Sequence, residues 1–219
     1  MKHILIIGGM GPQASIYAHR KLIENYTKAH QNLSNQDYPR ITHLSINVRD
    51  FISDPGAKDE ARGYILECLS QIDLSSVDAG FVACNTAHLL FDDIQEATGG
   101  KLISLIDNVK DYLAEAGEDI GIVATPSTID SKLYGDIARI EPDRRGLDNI
   151  NQIIRGVIAG GELVIPELLP ALKSEIDKLK DEGADKVILG CSELSMFGER
   201  LDSQEVIDPI ELMVCRLVE

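Results

Sequence analysis

Apolar and polar positions alternate along the chain in the manner of a parallel α/β protein. Short apolar runs separated by longer amphipathic stretches are typical of strands buried on both faces and the helices that cover them. The runs predict strands at 3–7, 41–46, 81–84, 102–106, 120–124, 187–190 and 205–207, with a further short strand at 138–141. The stretches predict helices at 12–28, 58–72, 89–97, 148–159 and 166–182, one running from the 125–128 turn toward residue 137, and one from residue 209.

The pattern restarts near residue 120, which indicates two similar half-chains. Cys84 and Cys191 end apolar runs that lie 107 positions apart, and the pair Ile106-Asp107 recurs as Ile207-Asp208. We therefore predict an α/β fold of two parallel-sheet domains related by a pseudo-twofold axis, with the active site between them. Residues 1–106 would form the first half, residues 107–207 the second, and a helix over 208–219 would pack back on the first half.

Charge and composition limit the classes of partner. The 219-residue chain has a formal net charge of −15, which repels nucleic-acid phosphates and anionic membranes. No apolar run approaches the roughly 20 residues that span a bilayer, and the N-terminus has no signal-peptide pattern. We expect a cytoplasmic protein that acts on a small molecule.

The four cysteines fall into two groups. None are spaced as C-x-x-C, so the pattern of a zinc ribbon or thioredoxin is absent, and no metal site is predicted. Cys68 and Cys215 lie in helical patterns and are predicted to be helix core. Cys84 and Cys191 end buried strands, where open α/β sheets bind ligands. If the halves face each other, these two thiols flank one ligand, and a thiolate and a thiol on opposite faces of a carbon can invert it by proton transfer.

Three motifs carry a resemblance to a known family. They are Gly8-Gly9-Met10-Gly11-Pro12, 83–88 (Ala-Cys-Asn-Thr-Ala-His) and 190–194 (Gly-Cys-Ser-Glu-Leu). Together they are similar to those of the aspartate/glutamate racemases, and the likeness covers nearly the whole chain. It implies a cofactor-independent, two-base racemase of an acidic amino acid, commonly a homodimer, with Cys84 and Cys191 as the acid/base residues.

The chain also departs from that family. Aspartate racemases carry Asp-Arg-Thr in the loop after the second strand, to hold the distal carboxylate. This chain lacks that triplet, and the family's second-half lysine aligns near Leu163. Arg49, Arg62 or Lys132 could substitute, and Arg49 is the residue that we expect to do so. The residues predicted to bind the substrate are Met10, Gly11, Arg49, Asn85, Thr86, Thr125, Thr128, Ser192 and Glu193. Thr125 and Thr128 could equally cap a helix.

Two other functions compete with a racemase. Gly9-x-Gly11-x-x-Ala14 fits a dinucleotide fingerprint, which would indicate an NAD-dependent oxidoreductase, although the acidic residue expected about 20 positions later is missing. A non-catalytic binder of small acids is the other alternative. His88 stands four residues after Cys84 but lacks the third residue of a triad, so we interpret it as a supporting side chain. Asp107 and Asp208 are predicted helix caps.

Overall fold

The computed structural model describes residues 2–49, 51, 55–114 and 117–218. The chain divides into two compact units, Met1–Leu105 with Met213–Glu219, and Ile106–Leu212.

The first unit is built on a three-stranded parallel sheet in the order β2-β1-β3. Buried β1 lies in the middle, and helices occupy the connections because parallel strands need crossovers. The elements are β1 (His3–Gly8), α1 (Pro12–Ala29), β2 (Arg40–Ser45), α2 (Lys58–Ser70), β3 (Ala79–Val82) and α3 (Phe91–Ala97). Single turns of 3₁₀ helix lie at Asn35–Asp37 and Pro55–Ala57, and a longer one at Thr86–Leu90.

The second unit repeats the plan with the order β4-β5-β6, again all parallel. Its elements are α4 (Leu105–Leu113), β4 (Ile120–Val123), α5 (Pro126–Asp130), α6 (Arg144–Gly160), α7 (Ile165–Asp181), β5 (Lys186–Leu189), β6 (Val206–Ile207) and α8 (Pro209–Val218). Turns of 3₁₀ helix lie at Gly135–Ile137, Gly161–Val164 and Leu194–Arg200. The second half of α8 belongs to the first unit, where Lys2 Nζ donates to Leu217 O at 2.8 Å.

The two sheets correspond position by position once isolated bridges are included. Leu102 extends the first sheet beside β3 through Gly80, and β6 occupies the same place beside β5. Ile140 extends the second sheet beside β4 through Gly121, where β2 stands in the first. The predicted strand at 138–141 is thus reduced to one bridge. The predicted fold class, two parallel-sheet α/β halves, is confirmed.

Separate apolar cores stabilise the units. Leu5, Ile7 and Val82 of the first sheet pack with α2 side chains such as Ile65 and Leu69. In the second unit, sheet residues such as Ile122 and Ile188 pack with α4 and with Tyr134. Burial of such side chains contributes about 1.5–3 kcal/mol each.

The predicted strand at 102–106 is wrong. Beyond the single bridge at Leu102, the chain enters α4 at Leu105, and Asp107 lies exposed in its first turn instead of ending a strand. Leu105, Val109 and Leu113 are buried at helical spacing. Four apolar side chains within five residues do not by themselves distinguish a buried strand from the start of a buried helix.

Two further expectations need correction. The helix after the 125–128 turn ends at Asp130, because Lys132 and Gly135 adopt positive φ values of 49° and 60° that no α-helix accommodates. Cys215 is exposed, not core. The buried face of α8 carries Ile210, Met213, Val214 and Leu217, at intervals of three and four, and excludes position 215. Cys68 is half-buried against the first core.

Within the described ranges, no helix combines the length and hydropathy that crossing a membrane requires.

Candidate active site

The glycine turn after β1 is shaped by close backbone packing. Gly9 has φ +93°, and a Cβ there would lie 2.3 Å from the backbone nitrogen of Ile46. Its N–H donates to Ser15 Oγ, which in turn donates to Pro12 O. Met10 is buried and Gly11 is partly exposed, as the N-cap of α1. The turn therefore holds these two predicted ligand-binding residues at the carboxyl edge of the first sheet.

Cys84 lies two residues beyond β3 on the same edge. Sheet pairing continues past the strand, since Ala83 N donates to Ile7 O at 2.8 Å. Cys84, Asn85 and Thr86 are all nearly inaccessible, and the 3₁₀ helix Thr86–Leu90 follows at once. A short rigid turn thus delivers the thiol with two small polar neighbours.

His88 fixes this turn to the beginning of α4. Its Nε2 accepts the N–H of Leu105 at 3.0 Å, so Nδ1 carries the hydrogen and faces the carbonyl oxygens of Cys84 and Asn85 at 3.0 and 3.2 Å. The ring also stacks on Phe91. Because both ring nitrogens bind backbone groups, His88 does not fit the role of a base in a Cys-His nucleophile pair.

Arg49 lies in the loop after β2. Its guanidinium donates to Glu60 Oε2 of α2 at 3.2 Å, with both side chains more than half exposed. Together with Asn47, Ala61 and Tyr64, these residues line a cavity of about 250 Å³. In the loop that follows β2, residues 50 and 52–54 lie outside the described residues.

The turn after β4 uses threonines where the first unit uses glycines. Thr125 is the N-cap of α5, and its Oγ1 accepts the N–H of Thr128 at 3.2 Å. The same hydroxyl donates to Thr128 Oγ1 at 3.0 Å, and both residues are buried. Of the two roles considered for Thr125, helix capping is observed.

Cys191 lies two residues beyond β5, at the position that corresponds to Cys84. Gly190 N donates to Val123 O at 2.8 Å, repeating the Ala83–Ile7 bond. The Sγ of Cys191 donates to Glu193 Oε2 at 2.9 Å, and Ser192 Oγ donates to the same oxygen at 3.3 Å. Cys191, Ser192 and Glu193 are all less than 4% exposed. The structure therefore joins three predicted site residues in one buried hydrogen-bonded group.

Tyr134 and Asp208 lie near this group, and neither was predicted as a site residue. Burial raises the pKa of Tyr134 well above 10, and negative charge on Asp208, or on Cys191 when it is ionised, raises the pKa further. Asp208 Oδ1 accepts from Ser195 Oγ at 2.6 Å and from the N–H of Ile210 at 2.9 Å, so it caps α8 as predicted. Burial nonetheless raises the pKa of Asp208 to about 6. The sequence around Tyr134 carried no signal for this placement.

Proton transfer is the chemistry that these groups support. Each unit presents a buried thiol at the carboxyl edge of its sheet, next to small polar side chains. A thiol ionises near pH 8.5 in water, so both protonation states are accessible near neutrality. Within the described ranges, no three His, Cys, Asp or Glu side chains are arranged to hold a metal ion.

Comparison with known proteins then defines the class. The sequence model of the Asp/Glu/hydantoin racemase family matches residues 7–217. The chain belongs to this family, which places it among the isomerases that act on amino acids.

Individual relatives agree with that assignment. The broad-specificity amino-acid racemase RacX of Bacillus subtilis is 22% identical over 91% of this chain and 88% of its own. Aspartate racemase of Picrophilus torridus matches the fold with a TM-score of 0.73 and 23% identity, covering 100% of this chain and 93% of the other. An aspartate racemase homologue from Pyrococcus horikoshii matches with a TM-score of 0.73 and 24% identity. The match covers 100% of this chain and 98% of the other.

Proposed function

We propose that the protein is a cofactor-independent racemase of an acidic amino acid, with Cys84 and Cys191 as its two acid/base residues. One observation carries the proposal. The two thiols occupy corresponding places, each directly after the residue whose N–H extends the sheet pairing, Ala83 in one unit and Gly190 in the other. Membership of a racemase family supports the same assignment.

The reaction needs one thiolate and one thiol. The thiolate removes the α-hydrogen as a proton, and the electron pair of the broken bond delocalises into the substrate carboxylate. The opposite thiol then delivers its proton to the other face of the α-carbon, which inverts the centre. The protein is left with thiol and thiolate exchanged, and proton transfer with solvent restores the starting form.

The substrate carboxylates would bind to polar groups around the thiols. We assign the α-carboxylate, where charge develops, to Asn85, Thr86 and Ser192, with the Met10-Gly11 backbone as a further contact. The distal carboxylate falls to Thr128 or to Arg49. Arg49 would then have to exchange its contact with Glu60 for the substrate, because the guanidinium already binds that carboxylate.

Isotope exchange tests the proposal. The protein is incubated with each enantiomer of aspartate and of glutamate in heavy water, and deuterium at the α-carbon is followed by NMR. We expect deuterium to enter, with inversion, for at least one of the two amino acids. Cys84→Ala and Cys191→Ala should each lower the rate by roughly 10²–10⁴-fold, the usual contribution of a positioned acid or base.

Two other cysteines provide matched controls. Cys68→Ala in α2 and Cys215→Ala in α8 make the same chemical change outside the two turns, and both should retain exchange. Persistent exchange in the Cys84→Ala/Cys191→Ala double variant would show that the cysteines are not the bases. Binding of these acids without exchange in the unaltered protein would favour a non-catalytic binder, and saturable NAD binding an oxidoreductase.

The family resemblance also implies a homodimer. Light scattering at micromolar concentration should give a mass near twice 24.0 kDa, and a mass near 24.0 kDa would contradict this part of the proposal.

A further inference from the structure

Glu193 makes contacts that differ from the substrate-binding role predicted for it. Its Oε2 already accepts hydrogen bonds from the Cys191 thiol and the Ser192 hydroxyl, at 2.9 and 3.3 Å. The residue is 2% exposed, so a carboxylate here is shielded from water. A negative oxygen in contact with a thiol favours the protonated form of the sulfur, since a thiolate would place two like charges side by side.

The first unit places a neutral residue at the corresponding position. Thr86 stands two residues after Cys84, as Glu193 stands two residues after Cys191. Thr86 is equally buried, and its hydroxyl does not ionise. The two thiols therefore differ in the charge of the side chain two positions beyond them.

We propose that Glu193 holds Cys191 as the thiol, so that the resting protein carries its thiolate at Cys84. Glu193 is then a positioning residue that acts through Cys191, not a substrate ligand. The pair of Cys191 and Glu193 shares one proton and one negative charge, with the proton on sulfur. This deepens the proposed function, since it states which of the two bases is ready to remove the α-hydrogen.

Two further ionisable groups of the second unit, Tyr134 and Asp208, do not reverse this preference. Tyr134 is buried, and its raised pKa keeps it neutral near pH 7. Asp208 adds a negative charge, not a positive one, near Tyr134. Neither group therefore supplies a positive charge that would favour a thiolate at Cys191.

The reaction becomes asymmetric as a result. The enantiomer whose hydrogen points to Cys84 meets the resting form directly. Its mirror image needs Cys191 as thiolate, a form that is rarer beside Glu193. Because the enantiomers have equal free energy, kcat/KM must remain equal in the two directions, and the asymmetry appears in kcat and KM separately.

NMR of cysteine labelled with ¹³C at Cβ tests the inference without any substrate. The protein carries Cys68→Ser, Cys84→Ala and Cys215→Ser, so that Cys191 alone reports, and its shift distinguishes thiol from thiolate as pH is raised. Adding Glu193→Gln keeps the size and an accepting oxygen but removes the charge. We expect about ten times more thiolate at neutral pH, because removing one neighbouring negative charge lowers the pKa of a thiol by about one unit. Glu182→Gln, at an exposed site after α7, should change nothing.

The NMR result either supports the inference about Glu193 or overturns it. An unchanged thiolate fraction in Glu193→Gln would overturn the inference, and so would a decrease, which would mean that Glu193 supplies a proton to the sulfur. In the protein with all four cysteines, Glu193→Gln should change kcat and KM for the two enantiomers unequally while their kcat/KM values stay matched. If the unaltered protein exchanges no α-hydrogen, the proposed function fails, whereas the NMR result still tests the Glu193 contact.

Discussion

The two cysteine turns share a backbone and differ in their side chains. Ala83 N binds Ile7 O in one and Gly190 N binds Val123 O in the other, both at 2.8 Å. Four residues after each cysteine, a side chain contacts the beginning of a following helix. In the first unit His88 accepts from Leu105 N, and in the second Ser195 donates to Asp208, which caps α8.

This difference shows which part of a duplicated site is fixed by the fold. The strand-end hydrogen bonds use only backbone atoms, so any residue that fits can stand beside them. The contacts that set charge depend on side chains, and there the halves have diverged: a neutral histidine in one, and the Ser195–Asp208 and Cys191–Glu193 pairs in the other. Two units with the same strand-end hydrogen bonds thus place their thiols in electrostatically unequal surroundings.

The largest expected effect on stability comes from the glycine turn after β1, at the same sheet edge as Cys84. Gly9→Ala should lower the free energy of unfolding by about 3 kcal/mol or more, because a Cβ would enter the Ile46 backbone and φ would remain near +93°. Urea denaturation measures the change. The corresponding turn in the second unit, at Thr125, already carries a side chain.

Gly63→Ala is the matched control for that substitution. Gly63 lies inside α2 with no atom within 4 Å of the new Cβ, so alanine there should stabilise by about 0.5–1 kcal/mol. If both variants behaved alike, the close approach of Gly9 to Ile46 would not govern the turn.

Asp208→Asn should reveal a pH dependence confined to the second unit. The folded protein raises the pKa of Asp208 from 3.8 to about 6, so the unfolded chain releases this proton first as pH rises. The ionisation of Asp208 therefore lowers the free energy of unfolding by at most about 3 kcal/mol between about pH 4 and pH 6. Above about pH 6 its contribution is constant. Asparagine keeps an oxygen for Ser195 and Ile210 and cannot ionise. The variant should therefore become more stable relative to the unaltered protein as the pH rises through this range.

The difference between the two unfolding curves isolates this one group, because all other titrations cancel. Asp107→Asn alters an exposed aspartate at the sequence-equivalent position and controls for the substitution itself. A pH-independent difference for Asp208→Asn would contradict the proposed burial of its charge.

The sequence was sufficient for the sheet-forming runs and the repeat, because both are periodic. Parallel strands buried on both faces are recognisable as unbroken apolar runs, and the matched positions of Cys84 and Cys191 followed from spacing. Leu102 to Ile106 was wrongly predicted as a strand, since four apolar residues in five suit a strand end or a helix start equally. Whether the helix after Thr125 continued depended on the backbone conformations of Lys132 and Gly135, which no apolar pattern records.

Side-chain pairing was the part of the candidate site that could not be predicted. Spacing placed Glu193 near Cys191, but which oxygen or amide each side chain binds depends on rotamers and on neighbours distant in sequence. Tyr134 is such a neighbour, brought toward Cys191 only by folding. Asp208 was recognisable as a cap because a cap is a local feature.

His88→Ala tests the first unit's link between turn and helix. Removing the ring leaves the buried Leu105 N–H without its acceptor, which should cost about 1–3 kcal/mol of unfolding free energy. His30→Ala, at an exposed histidine, is the control. Because His88 supports the turn and does not act on the thiol, α-hydrogen exchange at saturating substrate should survive in the folded fraction. A loss as large as that of Cys84→Ala would instead assign it a direct role.

The smallest expected effect separates the two helix beginnings. The first unit starts α1 with Gly11 and Pro12 and no side-chain cap, whereas the second caps α5 with Thr125. Thr125→Ala should cost about 1 kcal/mol through loss of the bond from Thr128 N, and Thr125→Ser should restore most of it because the oxygen is retained. If substrate also bound to Thr125, Thr125→Ala would raise KM while Thr125→Ser would not. Equal KM values with unequal stability would leave Thr125 as a cap alone, and would move the predicted carboxylate contacts of this turn to Thr128.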